Sequence, residues 1–465
     1  MRISSFLPAV CLAILACGPS QSPNVVFILI DDLGWKDLGV YGSEYYKTPN
    51  IDRLASEGIR YTDAYSACTV CSPTRAAVMT GKYPATINCT DWIEGWKYDD
   101  KPLQVPDWTM YMDTTEYTLA EAFRDNGYTT AHIGKWHLGE DSVFWPRNQG
   151  FALNIGGWKK GAPNRRKGLY NGYFPPFGNP RIRDRPDDKY LTERLADEAV
   201  KFIEDSNPSK TGKPFFLNFW TYSVHTPLQA KQDKIRKYES LRDTTLSQHN
   251  AIYAAMVEHM DEAVGRVIQA LKDNGVYENT IIIFTSDNGG LVGRWKQKVT
   301  NNSPLRNGKG HMYEGGVRVP LIIRIPDSPA EVRNAPAISM DFYPTLMRLT
   351  GSKVPDRVSS SFEGQDLFDE QNNKTRDLFW HYPHYHAEGA TPYSAVRSGR
   401  WKLIYSYETG SGALYDLEND LSETTDLSSE QAEMKNTLLK KLNDWKQEVN
   451  AQLPSRNINY QMDEN

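Results

Sequence analysis

The chain has 465 residues and a formal net charge of -5 at pH 7, with acidic and basic side chains interspersed. This length allows a large hydrophobic core and predicts two structural units, because domains usually contain roughly 100–200 residues. No basic tract could release counterions from a phosphate backbone, so we expect no nucleic-acid partner. The 12 tryptophans and 26 tyrosines suit carbohydrate surfaces, but we expect most of them in the core.

Residues 1–17 are typical of an export signal. Arg2 precedes the apolar segment FLPAVCLAILA, which is too short to span a bilayer as a mature helix. The segment ILAC ends at Cys17 and resembles a bacterial lipobox, in which the cysteine is acylated after cleavage; an ordinary cleaved signal is the alternative. We therefore predict an exported protein that is periplasmic or anchored by a lipid at Cys17, with the cell surface as a further location.

Uninterrupted apolar runs predict strands that are buried on both faces of a parallel sheet. The first run is NVVFILI at 24–30, and the others lie at 129–133, 214–220, 280–286 and 319–325. Helical patterns separate them, including one with Thr48 as the N-cap and Gly58 as its stop, and a long one from about Ser247 to Asn274. The alternation indicates an α/β fold with a large mixed, mainly parallel sheet flanked by helices, whose ligands bind at the carboxyl ends of the strands.

The sequence pattern changes after about residue 355. A polar, turn-rich stretch is followed by three short strand-like segments, YSAVRSG, RWKLIYSY and GALYDLE, and by a polar helix from about Ser429 to Val449. We predict a smaller C-terminal antiparallel sheet with a terminal helix. The predicted organisation is a catalytic domain over 24–375 and a C-terminal subdomain over 376–465.

Carboxylates and an amide follow two of the predicted strands. Asp31 and Asp32 come directly after the first run, and Asp287 and Asn288 follow the run at 280–286. Adjacent carboxylates repel each other unless a cation lies between them, and oxygen ligands suit Ca²⁺ or Mg²⁺. Helix capping or turn formation is the alternative for each pair taken alone, because Asp and Asn favour such positions.

Removal of the signal leaves three cysteines that are not candidates for lipidation: Cys68, Cys71 and Cys89. In an oxidising compartment Cys68 and Cys89 could pair in a disulfide, which would leave Cys71 as the odd thiol. Cys71 lies where a helix through Met79 is predicted to begin, and the helix dipole together with Arg75 suits an anion there. The same field could activate a thiolate, and composition does not decide between these roles.

Six motifs resolve this choice through their resemblance to a known family. They are DDLGW (31–35), CSPTRAAVMTG (71–81), GKWHLG (134–139), VHTP (224–227), SDNGG (286–290) and GKGHMYEGGVRVP (308–320). Together and in this order they resemble the formylglycine-dependent (type I) sulfatases of the alkaline phosphatase superfamily. The likeness extends to RWKLIY and LYDLENDLSE near the C-terminus, and so covers nearly the whole mature chain.

The resemblance implies that a maturation enzyme oxidises Cys71 to Cα-formylglycine, whose hydrate is the nucleophile. One hydroxyl would attack sulfur and expel the alcohol, and the second would collapse to the aldehyde and expel sulfate. The implied Ca²⁺ ligands are Asp31, Asp32, Asp287, Asn288 and the modified residue at position 71.

The resemblance also assigns roles to five basic residues. Arg75 would steady the hydrate, Lys135 would clamp sulfate, and His137 would take the hydrate proton during elimination. His225 and Lys309 would grip sulfate and assist the leaving oxygen. Fixed cations suit these roles because negative charge develops on the sulfate and on the departing oxygen.

The resulting prediction is hydrolysis of O-sulfate esters, with sulfated poly- or oligosaccharides as the expected substrate class. The alternatives are a phosphodiesterase or phosphonate hydrolase on the same fold, and a non-catalytic binder of sulfated glycans in which Cys71 stays a thiol. His384 could contact the sugar or belong to a structural aromatic cluster, and Arg165 with Arg166 could bind a second anion or form a solvated turn. His311 and Met312 depart from the small hydroxylated residues that are frequent there in the family, which affects the expected shape of the pocket.

Overall fold

The computed structural model describes residues 22–96, 98–188, 190–294, 297–369 and 376–460. The predicted signal segment with Cys17, and the residues just before the predicted domain boundary at 375/376, lie outside these ranges. Eight strands of the described residues form the large sheet. They are β1 (Asn24–Ile30), β2 (Ile59–Tyr61), β3 (Thr129–Gly134), β4 (Leu153–Ile155), β5 (Phe215–Trp220), β6 (Thr280–Ser286), β7 (Leu321–Arg324) and β8 (Glu331–Arg333).

The order of these strands across the sheet is β8-β2-β7-β6-β1-β5-β3-β4. Strands β4, β3, β5, β1 and β6 run parallel to one another. Strand β7 is antiparallel to both β6 and β2, and β8 is parallel to β2. The predicted mixed, mainly parallel sheet is therefore confirmed. The apolar run at 319–325, which was predicted as a strand of a parallel sheet, forms the antiparallel strand β7.

The unbroken apolar runs follow from burial of both faces of the sheet. In β1, Val26 and Ile28 pack into one apolar cluster with helices on that side. Val25 and Phe27 point to the opposite face and pack into a second cluster with other helices. Because successive strand side chains point to opposite faces, a strand covered on both sides carries apolar residues at most of its positions.

Eleven α-helices lie within the described ranges. They are α1 (Pro49–Ser56), α2 (Cys71–Thr80), α3 (Leu119–Asp125), α4 (Leu191–Asp205), α5 (Pro208–Thr211), α6 (Gln232–Ser240), α7 (Ala251–Asp273), α8 (Glu314–Val317), α9 (Phe342–Thr350), α10 (Asp356–Ser359) and α11 (Ala432–Glu448). Helices α1, α4 and α7 cover one face of the sheet, and α2, α3 and α9 cover the other. Among these helices none combines the length and the apolar character that crossing a membrane requires.

Two helix starts show how side chains set the boundaries. Helix α7 begins four residues later than predicted, because the Asn250 side chain accepts hydrogen bonds from the amides of Ile252 and Tyr253. Thr48 precedes α1 as predicted but makes no side-chain cap. Asp261 of α7 instead accepts from the amides of Asn50 and Ile51, so a tertiary contact satisfies the first turn of α1.

The C-terminal part forms the predicted small antiparallel sheet with a terminal helix. Its strands are β9 (Asp377–Tyr382), β10 (Tyr393–Ser398), β11 (Trp401–Ser406) and β12 (Ser411–Asp416), paired in chain order. Strand β9 was not predicted, because the segment reads as an aromatic and histidine cluster rather than an alternating strand. Trp380 and Leu403 of this sheet share an apolar cluster with Ala77 of α2, so the C-terminal part packs against the helix that begins at Cys71.

Candidate active site

The predicted site residues meet at the carboxyl edge of the parallel strands. Asp31 and Asp32 follow β1, Lys135 follows β3, and Asp287 and Asn288 follow β6. The register places the strand ends side by side, since Ile30 pairs with Ser286 and both Leu29 and Gly134 pair with Trp220 of β5. This is the edge at which α/β sheets bind their ligands.

Arg75 joins the helix to this edge through a buried ion pair. Its Nε and Nη2 lie 2.9 and 2.7 Å from Oδ2 of Asp287, and its Nη1 donates to the Lys135 carbonyl at 3.0 Å. Both side chains are fully buried. Burial works to raise the pKa of Asp287, but the Arg75 guanidinium and the Lys135 ammonium hold that pKa below its usual value. The guanidinium therefore fixes α2, and with it Cys71, relative to the carboxylates.

Two lysines neutralise the remaining carboxylates. Nζ of Lys135 lies 2.9 Å from each oxygen of Asp31, and Nζ of Lys309 lies 2.7 and 2.9 Å from those of Asp32. Burial raises the pKa of Asp31 well above its usual value against the opposing effect of Lys135. Burial also works to raise the pKa of Asp32, but Lys309 and His225 hold that pKa below its usual value.

The site therefore holds three carboxyl groups and three basic side chains. They pair as Asp31 with Lys135, Asp32 with Lys309, and Asp287 with Arg75. A divalent cation would add two positive charges to this balanced set, and the resulting excess suits an oxyanion. The donor set fits such an ion, because Asp31, Asp32, Asp287 and Asn288 provide hard oxygen atoms. Oδ1 of Asn288 is buried and has no hydrogen-bond partner, although its Nδ2 donates to Asp32 at 2.9 Å. A buried acceptor without a partner is costly, and a cation would satisfy it.

Cys71 faces a histidine at the start of α2. Its Sγ lies 3.3 Å from Nδ1 of His137, whose Nε2 donates to the Ile93 carbonyl. Burial, reinforced by the Lys135 cation, lowers the pKa of His137 well below its usual value, so the ring is neutral. Because a carbonyl can only accept, Nε2 carries the hydrogen and Nδ1 presents its lone pair to residue 71. His137 adopts a φ of 62°, a left-handed conformation that is uncommon for a non-glycine residue.

His225 lies on the other side of the carboxylates. Its Nδ1 is 2.7 Å from the Thr226 carbonyl, and its Nε2 is 3.7 Å from Oδ2 of Asp32. Burial lowers the pKa of His225 to about 3, with Asp32 opposing and Lys309 adding to this effect. His225, Lys309 and Cys71 all line one cavity, so the predicted constellation is brought together.

The alternative of a disulfide between Cys68 and Cys89 is not realised, because both are free and buried. Burial raises the pKa of Cys68 to about 12 and raises that of Cys89 further. Buried thiols of this kind are inert at neutral pH. Cys71 is the member of the three that lies against the cavity.

The cavity has a volume of about 240 Å³, and part of its wall comes from outside the motifs. The wall residues that sequence reasoning missed are Trp92, Ile93, Glu94, Trp96, Lys159, Lys160, Gly161, Ala162, Leu291, His386, Ala387 and Glu388. The signals for this wall in the sequence are two closely spaced tryptophans in one loop and the histidine-rich segment at 381–386. Nothing in the sequence separated these residues from core aromatics and surface charges.

The structure decides three alternatives left open by the sequence. His384 is buried, lies 2.8 Å from Oγ1 of Thr90 and does not line the cavity, so the structural role holds and its neighbour His386 lines the cavity instead. Arg165 and Arg166 form an exposed two-residue strand away from the cavity wall, as expected for a solvated turn. Met312 is buried in the cluster shared with the C-terminal sheet and does not shape the cavity.

Comparison with known proteins identifies the family of this chain. A family model described as Sulfatase matches residues 23–352, and one described as N-sulphoglucosamine sulphohydrolase, C-terminal, matches residues 307–448. A sulfatase of Formosa agariphila is 33% identical over 485 residues, covering 88% of this chain and 85% of that protein. N-acetylgalactosamine-6-sulfatase of Rattus norvegicus is 33% identical over 374 residues, covering 77% of this chain and 67% of that protein.

A solved structure shares the whole architecture. The crystal structure of Ps i-CgsB in complex with k-i-k-neocarrahexaose is 28% identical, with a TM-score of 0.74 and coverage of 95% of both chains. The α/β architecture and the clustered carboxylates and cations define a hydrolase for esters of an oxyacid. The chain belongs to the sulfatase family and is a sulfuric ester hydrolase.

Proposed function

We propose that this protein hydrolyses O-sulfate esters of sulfated poly- or oligosaccharides, with Cys71 converted to formylglycine and one Ca²⁺ bound. The observation that carries the proposal is the position of Cys71. It begins a buried helix, faces Nδ1 of His137 at 3.3 Å, and shares a cavity with Lys309 and His225. A hydrated aldehyde at this position would place a hydroxyl beside a base and beside cations suited to sulfate.

The protein residues have distinct tasks in this proposal. Nδ1 of His137 takes a proton from the hydrate as the carbon–oxygen double bond reforms and sulfate departs. The backbone carbonyl of Ile93 keeps the ring in the required tautomer. His225 would assist the sugar oxygen as it leaves, and it would act as a general acid once the negative charge of the bound sulfate ester raises its pKa from about 3.

Bound Ca²⁺ would neutralise carboxylates and polarise the sulfate oxygens. Asp31, Asp32, Asp287 and Asn288 would hold it. Lys135 and Lys309 each bind one of these carboxylates, so a cation that takes over this role leaves their charge available to the sulfate group. The maturation enzyme that oxidises Cys71 is a required partner.

The substrate class rests on similar proteins and on the predicted export. One similar structure contains k-i-k-neocarrahexaose, and one relative is an N-acetylgalactosamine-6-sulfatase. Export through residues 1–17, with lipidation of Cys17 as one outcome, would place the enzyme where polymeric glycans are found. A wall of aromatic and charged side chains around a cation-rich site suits a sulfated sugar.

The direct test is a panel of esters offered to protein produced with its maturation enzyme. The panel contains neocarrahexaose, N-acetylgalactosamine 6-sulfate, an aryl sulfate, an aryl phosphodiester and an aryl phosphonate monoester, and sulfate or phenol release is measured. We expect at least one sulfated sugar to have the highest kcat/KM. A higher kcat/KM for the phosphodiester or phosphonate would overturn the proposal in favour of a phosphodiesterase or phosphonate hydrolase.

Ca²⁺ is expected to stabilise the folded protein. At a concentration of roughly 100 times its Kd, one ion should raise the free energy of unfolding by about 2.7 kcal/mol. The Asn288→Ala variant should bind Ca²⁺ at least about tenfold more weakly, because an oxygen ligand is lost. Calorimetric titration of metal-free protein measures the affinity, and urea unfolding with and without Ca²⁺ measures the stabilisation.

Asn154→Ala is the matched control, since Asn154 is buried and, among the described residues, its side chain forms hydrogen bonds only with the backbone of Gly157. This variant should have a lower free energy of unfolding without Ca²⁺, and Ca²⁺ should raise that free energy by as much as in the wild type. An equal loss of the Ca²⁺ increment in both variants would contradict the proposed ligand role of Asn288.

A further inference from the structure

We propose that Trp92 and Trp96, here named the tryptophan platform, bind a second sugar ring next to the sulfated one. This inference rests on the proposed function and names how its substrate is recognised. Both rings line the cavity that contains Cys71 and Lys309, and their centroids are 6.2 Å apart at an angle of 54°. Trp92 is half-buried, whereas Trp96 is 49% exposed, so one ring supports the other and leaves it accessible.

The size of the cavity places the second ring at the rim. Pockets for drug-sized ligands measure about 300–1,000 Å³. The cavity here measures about 240 Å³, which favours one sulfated sugar unit rather than a longer segment. The rest of an oligosaccharide must therefore leave the cavity over its rim, where Trp96 is exposed.

The chemistry of the rim suits a pyranose ring. A tryptophan face is a large apolar surface on which the C–H face of a sugar can stack, while hydroxyl groups at the ring edge remain free for hydrogen bonds. Glu94 and Lys160 lie in the same cavity wall, 3.5 Å apart and both exposed. An exposed ion pair of this kind contributes little stability, so its charged groups can exchange partners with sugar hydroxyls.

The loop that carries the platform is held in a fixed position relative to residue 71. The Asp91 side chain accepts from the Trp92 amide at 2.8 Å and from the Tyr382 hydroxyl at 2.9 Å. The Ile93 amide donates to Oγ of Ser72, directly after Cys71, at 3.1 Å. A platform fixed to both the nucleophile's helix and the C-terminal sheet can orient a chain for reaction at residue 71.

Gly95 allows the turn between the two tryptophan rings. Its φ is 70°, in the left-handed region that disfavours other residues, and a Cβ there would lie 2.8 Å from the ring of Trp108. The loop is thus shaped by packing that leaves Trp96 at the surface. Nothing in that packing requires a large apolar side chain to be exposed, which points to a role in binding.

The test compares long and short substrates in Trp96 variants. In the first pair, a chondroitin 6-sulfate tetrasaccharide is the long substrate and N-acetylgalactosamine 6-sulfate is the short one. In the second pair, neocarrahexaose is the long substrate and galactose 4-sulfate is the short one. In Trp96→Ala, the ratio of kcat/KM for the long to the short member should fall about 5- to 10-fold, mainly through KM. Trp96→Phe retains a ring and should recover most of this ratio.

Trp401→Ala is the matched control, because Trp401 is a partly buried tryptophan on β11 outside the cavity wall. It should leave the ratio unchanged. An unchanged ratio in Trp96→Ala, or the same fall in Trp401→Ala, would overturn the tryptophan platform.

A binding measurement separates this inference from the proposed function. Calorimetry with the Cys71→Ala protein measures the affinity for the tetrasaccharide and for neocarrahexaose, and adding Trp96→Ala should weaken the tighter of the two about 5- to 10-fold. If the wild-type enzyme cleaves no sulfate ester, the proposed function fails while this measurement still tests the platform. Absence of binding to both probes, or equal affinity with and without Trp96, would refute the platform itself.

Discussion

Replacing Cys71 by alanine is expected to reduce sulfate ester hydrolysis by at least about 1,000-fold, because no formylglycine can form and the nucleophile is lost. The remaining cations would still bind the substrate, so KM should change far less than kcat. Release of sulfate from the best sugar of the panel measures the loss. Mass spectrometry of the peptide containing position 71 should show CHO in place of CH₂SH in the wild-type enzyme.

Cys68→Ala provides the matched control for this experiment. Cys68 is also a buried free thiol, three residues earlier, but it does not line the cavity. The Cys68→Ala variant should release sulfate at the wild-type rate, and its free energy of unfolding should fall only slightly. If active wild-type enzyme carries an unmodified thiol at position 71, the formylglycine mechanism is wrong and a thiolate must be considered.

Arg75→Met should destabilise the metal-free protein by about 3–5 kcal/mol, the cost typical of breaking a buried ion pair and leaving one charge without its partner. The guanidinium compensates Asp287, and both side chains are fully buried. Bound Ca²⁺ would take over part of this compensation, so the loss should be smaller when Ca²⁺ is present. Urea unfolding with and without Ca²⁺ measures both values.

Arg324→Met is the control for a buried arginine outside the site. Arg324 donates to the carbonyls of Tyr277 and Thr280, and its carboxylate partner Glu278 is 88% exposed. Replacing Arg324 leaves no unpaired charge in the interior. The free energy of unfolding should therefore fall by about 1–2 kcal/mol, with or without Ca²⁺. A loss for Arg75→Met that does not respond to Ca²⁺ would show that Asp287 does not bind the ion.

Much of the fold could be predicted because both faces of the sheet are buried. This burial produces the apolar runs of β1 and β6, whose bounds match the prediction. The direction of β7 could not be predicted, because an apolar run reads alike in a parallel and an antiparallel strand. Strand β9 was missed because its aromatic and histidine residues are set by contacts with the rest of the protein.

The sequence by itself determined where the candidate site lies, and its resemblance to the sulfatases predicted the class of reaction. Asp31, Asp32, Asp287 and Asn288 follow strands whose ends must meet at one edge, and the motif at Cys71 places a unique thiol at a helix start. A helix dipole acts locally, and the carboxyl ends of parallel strands share one edge of a sheet, so these features can be predicted from a single chain.

Only the tertiary structure decided which charged side chains pair in the site and which residues line the cavity. The pairing of Lys135 with Asp31 and of Lys309 with Asp32 joins residues more than a hundred positions apart. The cavity wall likewise combines Trp96 with His386 of the C-terminal part. Such contacts depend on which loops the folded sheet brings together, and neither residue type nor spacing carries that information.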